Sequence, residues 1–139
     1  MLPLASAVVW SAQARASEVE VKALNRGPGG TFFVFSPEVV RLGAGDTVTF
    51  VAADKGHDVY TLPGMIPEGA QPFDGGMSQD IKVTFMVPGV YVVACRPHMP
   101  LGMLALIVVG APVNLDKIDA GTLAGKARSK LESLLASLK

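Results

Sequence analysis

Polar and apolar side chains alternate with a period of two at the start of a long strand-like region, residues 17–110. EVEVKAL (18–24) shows it most clearly, and that period is the mark of a half-buried strand. TFFVFS (31–36), EVVRL (38–42) and DTVTFVA (46–52) follow, rich in β-branched and aromatic residues. HDVYTL (57–62), DIKVTFMV (80–87), VYVVAC (90–95) and MLALIVV (103–109) complete a set of about eight short strands. GPGG, GAGD and the PGV at 88–90 read as turns between them. Many short strands broken by such turns predict a mainly β domain, a sandwich or a barrel. Residues 63–79 hold too much Gly, Pro and Met for a strand and read as a loop with one helical turn near Pro67.

After Gly110 the period becomes helical. Asn114 is placed to cap a first helix and Gly121 to break it. Ala127, Leu131, Leu134, Leu135 and Leu138 then share one face. Two short C-terminal helices laid against the β domain are predicted, with the leucine stripe as ordinary core packing.

The first residues differ from both regions. An apolar segment runs from Leu2 to Trp10 and is followed by Ala14-Arg15-Ala16, a cleavage signal of the A-x-A type. An export signal cut after Ala16 is expected, although it lacks a basic start. Cleavage would remove Trp10, the only tryptophan, and leave 17–139 as one domain.

Length and charge narrow the classes. A chain of 139 residues is enough for one domain, and one of that size buries roughly 68% of its unfolded surface. The longest nearly unbroken apolar stretch, 103–113, is well short of the ~20 residues of a spanning helix, so no membrane span is expected. A formal net charge of zero gives no argument for nucleic acid. Residues 17–110 carry six Lys/Arg against nine Asp/Glu. Lys55 and Arg96 therefore stand out there as basic groups.

The candidate chemistry lies in ACRPHMPLGM (94–103). The only cysteine, Cys95, stands three residues before His98 and eight before Met103. A single unpaired cysteine in an exported chain calls for an account: burial, or a metal-bound thiolate. Strands ending at Cys95 and restarting at Met103 bring the loop ends together, and Pro97 and Pro100 stiffen the loop. The only other histidine is His57. Two imidazoles, a thiolate and a weak axial thioether form the trigonal donor set of a type-1 copper site. Zinc is a possible adventitious occupant of the same three strong donors.

These residues carry a resemblance. C-x2-H-x4-M after a strand, with G-H about forty residues upstream, is similar to the pattern of the cupredoxins. GDTVTF, DKGHDV, GMIPEGA, KVTF, PGVYVVAC, PHMPLGM and the helical tail resemble the pseudoazurins among them, over 17–139. The resemblance implies a Greek-key β-sandwich of about eight strands with two C-terminal α-helices. It maps copper onto His57, Cys95, His98 and Met103; Met99, directly after His98, is expected to point outward. It further implies a monomeric periplasmic one-electron carrier, not an enzyme. Such a carrier docks briefly with redox partners such as cytochromes and a copper nitrite reductase in denitrification.

Two positions depart from that family. Asp58 and Arg96 stand where the family usually has Asn and Thr, which tie the two ligand loops together. Their opposite charges suggest an ion pair replacing the neutral bond, whose loss would leave a carboxylate favouring Cu(II). Phe33 is placed either to stack on His98 or to pack in the core. Met99, Pro100 and Leu101 form an apolar patch around His98, with Lys55, Arg96 and Arg26 available to steer an acidic partner. Ala94 replaces a Lys common in the family. A multicopper enzyme needs more histidines than two. A copper storage or delivery protein would favour a more open Met/His cluster than this loop.

Overall fold

The computed structural model describes residues 16–139. Trp10 and all of the expected export signal except Ala16 lie outside the described residues. Eight strands follow: β1 (Glu18–Arg26), β2 (Phe32–Ser36), β3 (Val39–Leu42), β4 (Asp46–Val51), β5 (Tyr60–Thr61), β6 (Ile81–Phe85), β7 (Gly89–Ala94) and β8 (Leu104–Val109). They form two four-stranded sheets, ordered β2-β1-β4-β6 and β3-β8-β7-β5. The pairs β1–β4 and β3–β8 are parallel and the others antiparallel. The chain changes sheet at every step from β2 to β7, and only β1–β2 and β7–β8 are consecutive strands of one sheet, as in the expected Greek-key sandwich.

β7 and β8 explain why their sequences run apolar without alternation. Every residue in both strands is buried, because each strand has a core on either face. Tyr91 and Val93, with Ala105, Ile107 and Val109, face the other sheet and meet Val21, Phe35, Val48, Phe50 and Phe85. Val90, Val92 and Ala94, with Leu104, Leu106 and Val108, face the C-terminal segment. There one helix, α1 (Gly125–Ala136), inserts Ala127, Leu131 and Leu134.

Three expectations change in detail. The first of the two tail helices is a pair of single 3-10 turns, Leu115–Lys117 and Ala120–Thr122. Asp119 interrupts it by accepting the Gly121 N–H at 2.8 Å, restarting the chain after one turn. Asn114 caps nothing. It is buried, accepts the Val90 N–H at 2.7 Å and donates to the Val90 carbonyl at 2.9 Å, acting as a missing strand neighbour to β7. The helical turn at Pro67 is a single reverse turn, Ala70 N–H to Pro67 O at 3.1 Å.

The fifth strand is also shorter than its pattern. Residues 57–59 bond to the following loop instead of a ladder: Ser78 donates to His57 O at 2.7 Å and Gly75 to Val59 O at 2.8 Å. That loop closes over the end of the sandwich where β1 and β7 finish. Cys95 follows β7, Met103 precedes β8, and the antiparallel pairing of Ala94 with Leu104 holds the loop between them shut.

Candidate metal centre

The donors converge at that end. Cys95 Sγ lies 3.6 Å from His57 Nδ1 and 3.5 Å from His98 Nδ1, and the two Nδ1 atoms are 3.1 Å apart. A point equidistant from all three lies about 2.0 Å from each, the length of a metal bond to imidazole nitrogen. The triangle therefore fits one small transition-metal ion. His57 and Cys95 are buried, whereas His98 is only partly so. The fully buried Met103 belongs to the same core as Cys95. Met99 packs on the opposite core, with its sulfur accepting from the Tyr60 hydroxyl at 3.7 Å. Met99 therefore does not point outward as expected but packs inward beside Tyr60, and only Met103 shares the side of the thiol.

The loop is held by its own backbone. His98 and Met99 donate to Cys95 O at 3.2 and 2.7 Å, Leu101 to His98 O at 2.9 Å, and Gly102 to Met99 O at 2.8 Å. Met103 donates to His98 O at 3.2 Å, and Cys95 to Met103 O at 3.1 Å. Gly102 sits at φ +92 where the loop turns into β8, a conformation glycine adopts without a Cβ clash. A Cβ there would also come within 3.4 Å of the Lys126 carbonyl on α1.

Neighbours set the protonation of the donors. Asn25 Oδ1 lies 2.8 Å from His57 Nε2 and accepts the proton there. The lone pair is then on Nδ1, facing the centre. Burial, and next His98, lower the His57 pKa, so the ring stays neutral. Burial pushes the Cys95 thiol up, partly opposed by the backbone amides of Asp58 and His98. Phe33 stacks on His98 with 4.1 Å between centroids and 3° between planes, which resolves its two sequence readings. It does so at φ +52 inside β2.

The expected Asp58–Arg96 pair is present. Asp58 accepts the Arg96 backbone N–H at 2.6 Å and its Nη1 at 2.7 Å. Arg96 is not free to steer a partner, however, because Asp74 takes the guanidinium as well, at 2.7 and 3.1 Å. Asn25, Tyr60 and Asp74 were absent from the sequence reading. Asn25 had a signal: it occupies the inward parity of β1 after Val19, Val21 and Ala23, a polar residue on an apolar face. Asp74 had none, since only the folded loop brings it to Arg96.

A mixed two-sheet sandwich whose one end gathers two imidazoles and a thiol defines a cupredoxin. The sequence matches the copper binding proteins of the plastocyanin/azurin family over residues 21–110. It is 48% identical over 107 residues to a pseudoazurin of Methylorubrum extorquens, covering 77% of this chain and 72% of that one. It is 36% identical over 135 residues to one of Paracoccus pantotrophus, covering 96% and 92%. The solved structure of a Sinorhizobium pseudoazurin superposes with a TM-score of 0.84 at 41% identity, over 88% of this chain and 97% of that one. The chain belongs to the pseudoazurins, copper-binding electron carriers rather than enzymes.

Proposed function

We propose that one copper ion binds at His57 Nδ1, Cys95 Sγ and His98 Nδ1, with the Met103 thioether as a weaker fourth donor. The chain then shuttles single electrons in the periplasm. The observation that carries this reading is the three-donor triangle, small enough that one ion can sit at bonding distance from both imidazole nitrogens and the sulfur together. Copper supplies a one-electron couple there. The protein's share is to exclude water with buried His57 and Cys95 and to keep the donors in place. Only His98 among the three approaches the surface. A partner therefore docks over its outer edge, beside Pro100 and Leu101, the latter 49% exposed. Such a small apolar contact suits brief encounters.

The acceptor in this reading is a copper nitrite reductase or a similar periplasmic reductase, with cytochromes as further partners and the carrier a monomer. Residues 1–16 act as the export signal and 17–139 as the mature domain. Support for that boundary comes from the Ser17 N–H, which donates to Asp46 at 2.7 Å where β1 begins. Among the described residues no helix is long and apolar enough to cross a membrane.

The test is spectroscopic and then kinetic. Copper-loaded protein shows an intense visible thiolate-to-copper band with a narrow EPR hyperfine splitting, bleached by ascorbate. Cys95→Ser abolishes the band. Stopped-flow mixing of the reduced protein with a copper nitrite reductase and with a periplasmic cytochrome then identifies the acceptor. A Cys95→Ser protein that kept the band would overturn the ligand set, and no electron transfer to either partner would overturn the role.

A further inference from the structure

Arg96 directly follows the candidate ligand Cys95, and its guanidinium ends in an unusually complete set of contacts. Nη1 donates to Asp58 Oδ2 at 2.7 Å. Nη1 and Nη2 grip both oxygens of Asp74 at 3.1 and 2.7 Å. The guanidinium carbon lies 3.8 Å from the Tyr60 ring centroid, so the flat cation also rests on an aromatic face. The two carboxylates differ sharply: the Asp58 side chain is 3% exposed and that of Asp74 55%. Asp58 adjoins His57, so its charge sits beside the centre. Asp74 belongs to the loop before β6, a third segment of chain.

We propose that Asp74 is a positioning residue of the electron-transfer site: it anchors Arg96 over Tyr60 so that the guanidinium stays on the buried Asp58 carboxylate. The proposal rests on the copper-binding reading above and adds a residue to it. The cluster joins the segment carrying His57, the loop carrying Cys95 and His98, and the loop carrying Asp74. Geometry gives the anchor its importance. Asp58 holds the guanidinium by one bond, whereas Asp74 holds it by a two-pronged fork, the stronger and more directional arrangement. Without the fork, a half-exposed arginine is drawn toward water, and the charge of Asp58 is left less compensated.

The sign of one measurement separates this role from its alternative. If Asp74 acts through Arg96, its loss uncovers negative charge at Asp58, Cu(II) is favoured, and the reduction potential falls. If Asp74 acts only as a distant charge, removing it favours Cu(I) and the potential rises. Asp74 is exposed, so that direct effect also fades with salt. The experiment is voltammetry of Asp74→Asn, Arg96→Ala and the double variant, at low and high ionic strength. We expect a lower potential in Asp74→Asn that persists at high salt and vanishes in the Arg96→Ala background, as a double-mutant cycle requires. A rise, no shift, or the same shift in both backgrounds overturns the proposal.

A second readout needs no copper. In the metal-free protein, NMR of the Arg96 side chain should show restricted guanidinium rotation that Asp74→Asn releases. Free rotation before the substitution also overturns the proposal. Failure of the copper reading itself would show separately, as the missing visible band.

Discussion

Single side chains decide what the centre can hold. Asn25 fixes the tautomer of His57 through a 2.8 Å bond to Nε2. Removing such an outer partner typically costs 10–100-fold in metal affinity, so Asn25→Leu should weaken copper binding by about that factor in a chelator competition. Equal affinity would mean the ring is oriented by packing alone. Phe33 keeps φ +52 while stacked on His98. Both Phe33→Ala and Phe33→Gly lose the stack, but only glycine is at ease at that angle. Phe33→Gly should therefore be more stable than Phe33→Ala by about 1 kcal/mol in denaturant melts. The reverse order would show that the stack itself imposes the angle. At this scale the sequence was informative where chemistry is rare. One cysteine and two histidines left few alternatives, whereas the preference for Met103 over Met99 came from the family resemblance rather than from the residues alone. It was silent on Asp74 and Tyr60, whose roles arise from contacts that only the folded loops create.

Elements were legible to the degree that their own sequence decided them. Each of the eight strands overlaps the run that predicted it, with β1 running on to Arg26 and β7 starting a residue early at Gly89. The match arises because two-sided burial of β7 and β8 and one-sided burial of β1 leave direct traces in pattern. β5 shrank because its backbone bonds to a distant loop. The first tail helix failed because Asp119 caps a new turn at Gly121 and the Asn114 side chain bonds to β7 rather than to a helix end. Asn114 shows how such a contact stabilises. Its side chain satisfies both backbone groups of Val90 inside the protein, and each buried group left unpaired costs about 1–3 kcal/mol. Asn114→Ala should destabilise the metal-free protein by roughly 2–4 kcal/mol in urea unfolding. Its visible spectrum with copper should be unchanged, because Val90 lies at the end of β7 away from Cys95. A spectral change would mean that the two ends of the sandwich are mechanically coupled.

For the whole molecule, the donor protonation states tie folding to pH and to metal. His57 is held neutral by burial, its pKa lowered. Between that lowered value and the unfolded value of about 6.5, the unfolded chain binds a proton that the folded chain refuses. Stability of the metal-free protein therefore falls as pH drops through this window. Cys95 has the opposite consequence. Its thiol pKa is raised by burial, so above the unfolded value of about 8.5 the unfolded chain loses a proton that the folded chain keeps. Stability then falls as pH rises. Urea melts across the pH range should show a maximum near neutrality, and Cys95→Ala should remove the onset of the alkaline limb. It should leave the acid limb and the part at higher pH that comes from Tyr60 and Tyr91, whose hydroxyls burial also pushes up. Metal binding reverses the demand on sulfur, since the ligand is a thiolate. Loading with zinc, a redox-silent probe, should release about one proton near neutral pH, with affinity rising about tenfold per pH unit while the thiol stays protonated. Cys95→Ala should release none. A zinc affinity independent of pH between 6 and 8 would show that Cys95 is already ionised in the metal-free fold, and that the amides of Asp58 and His98 outweigh its burial.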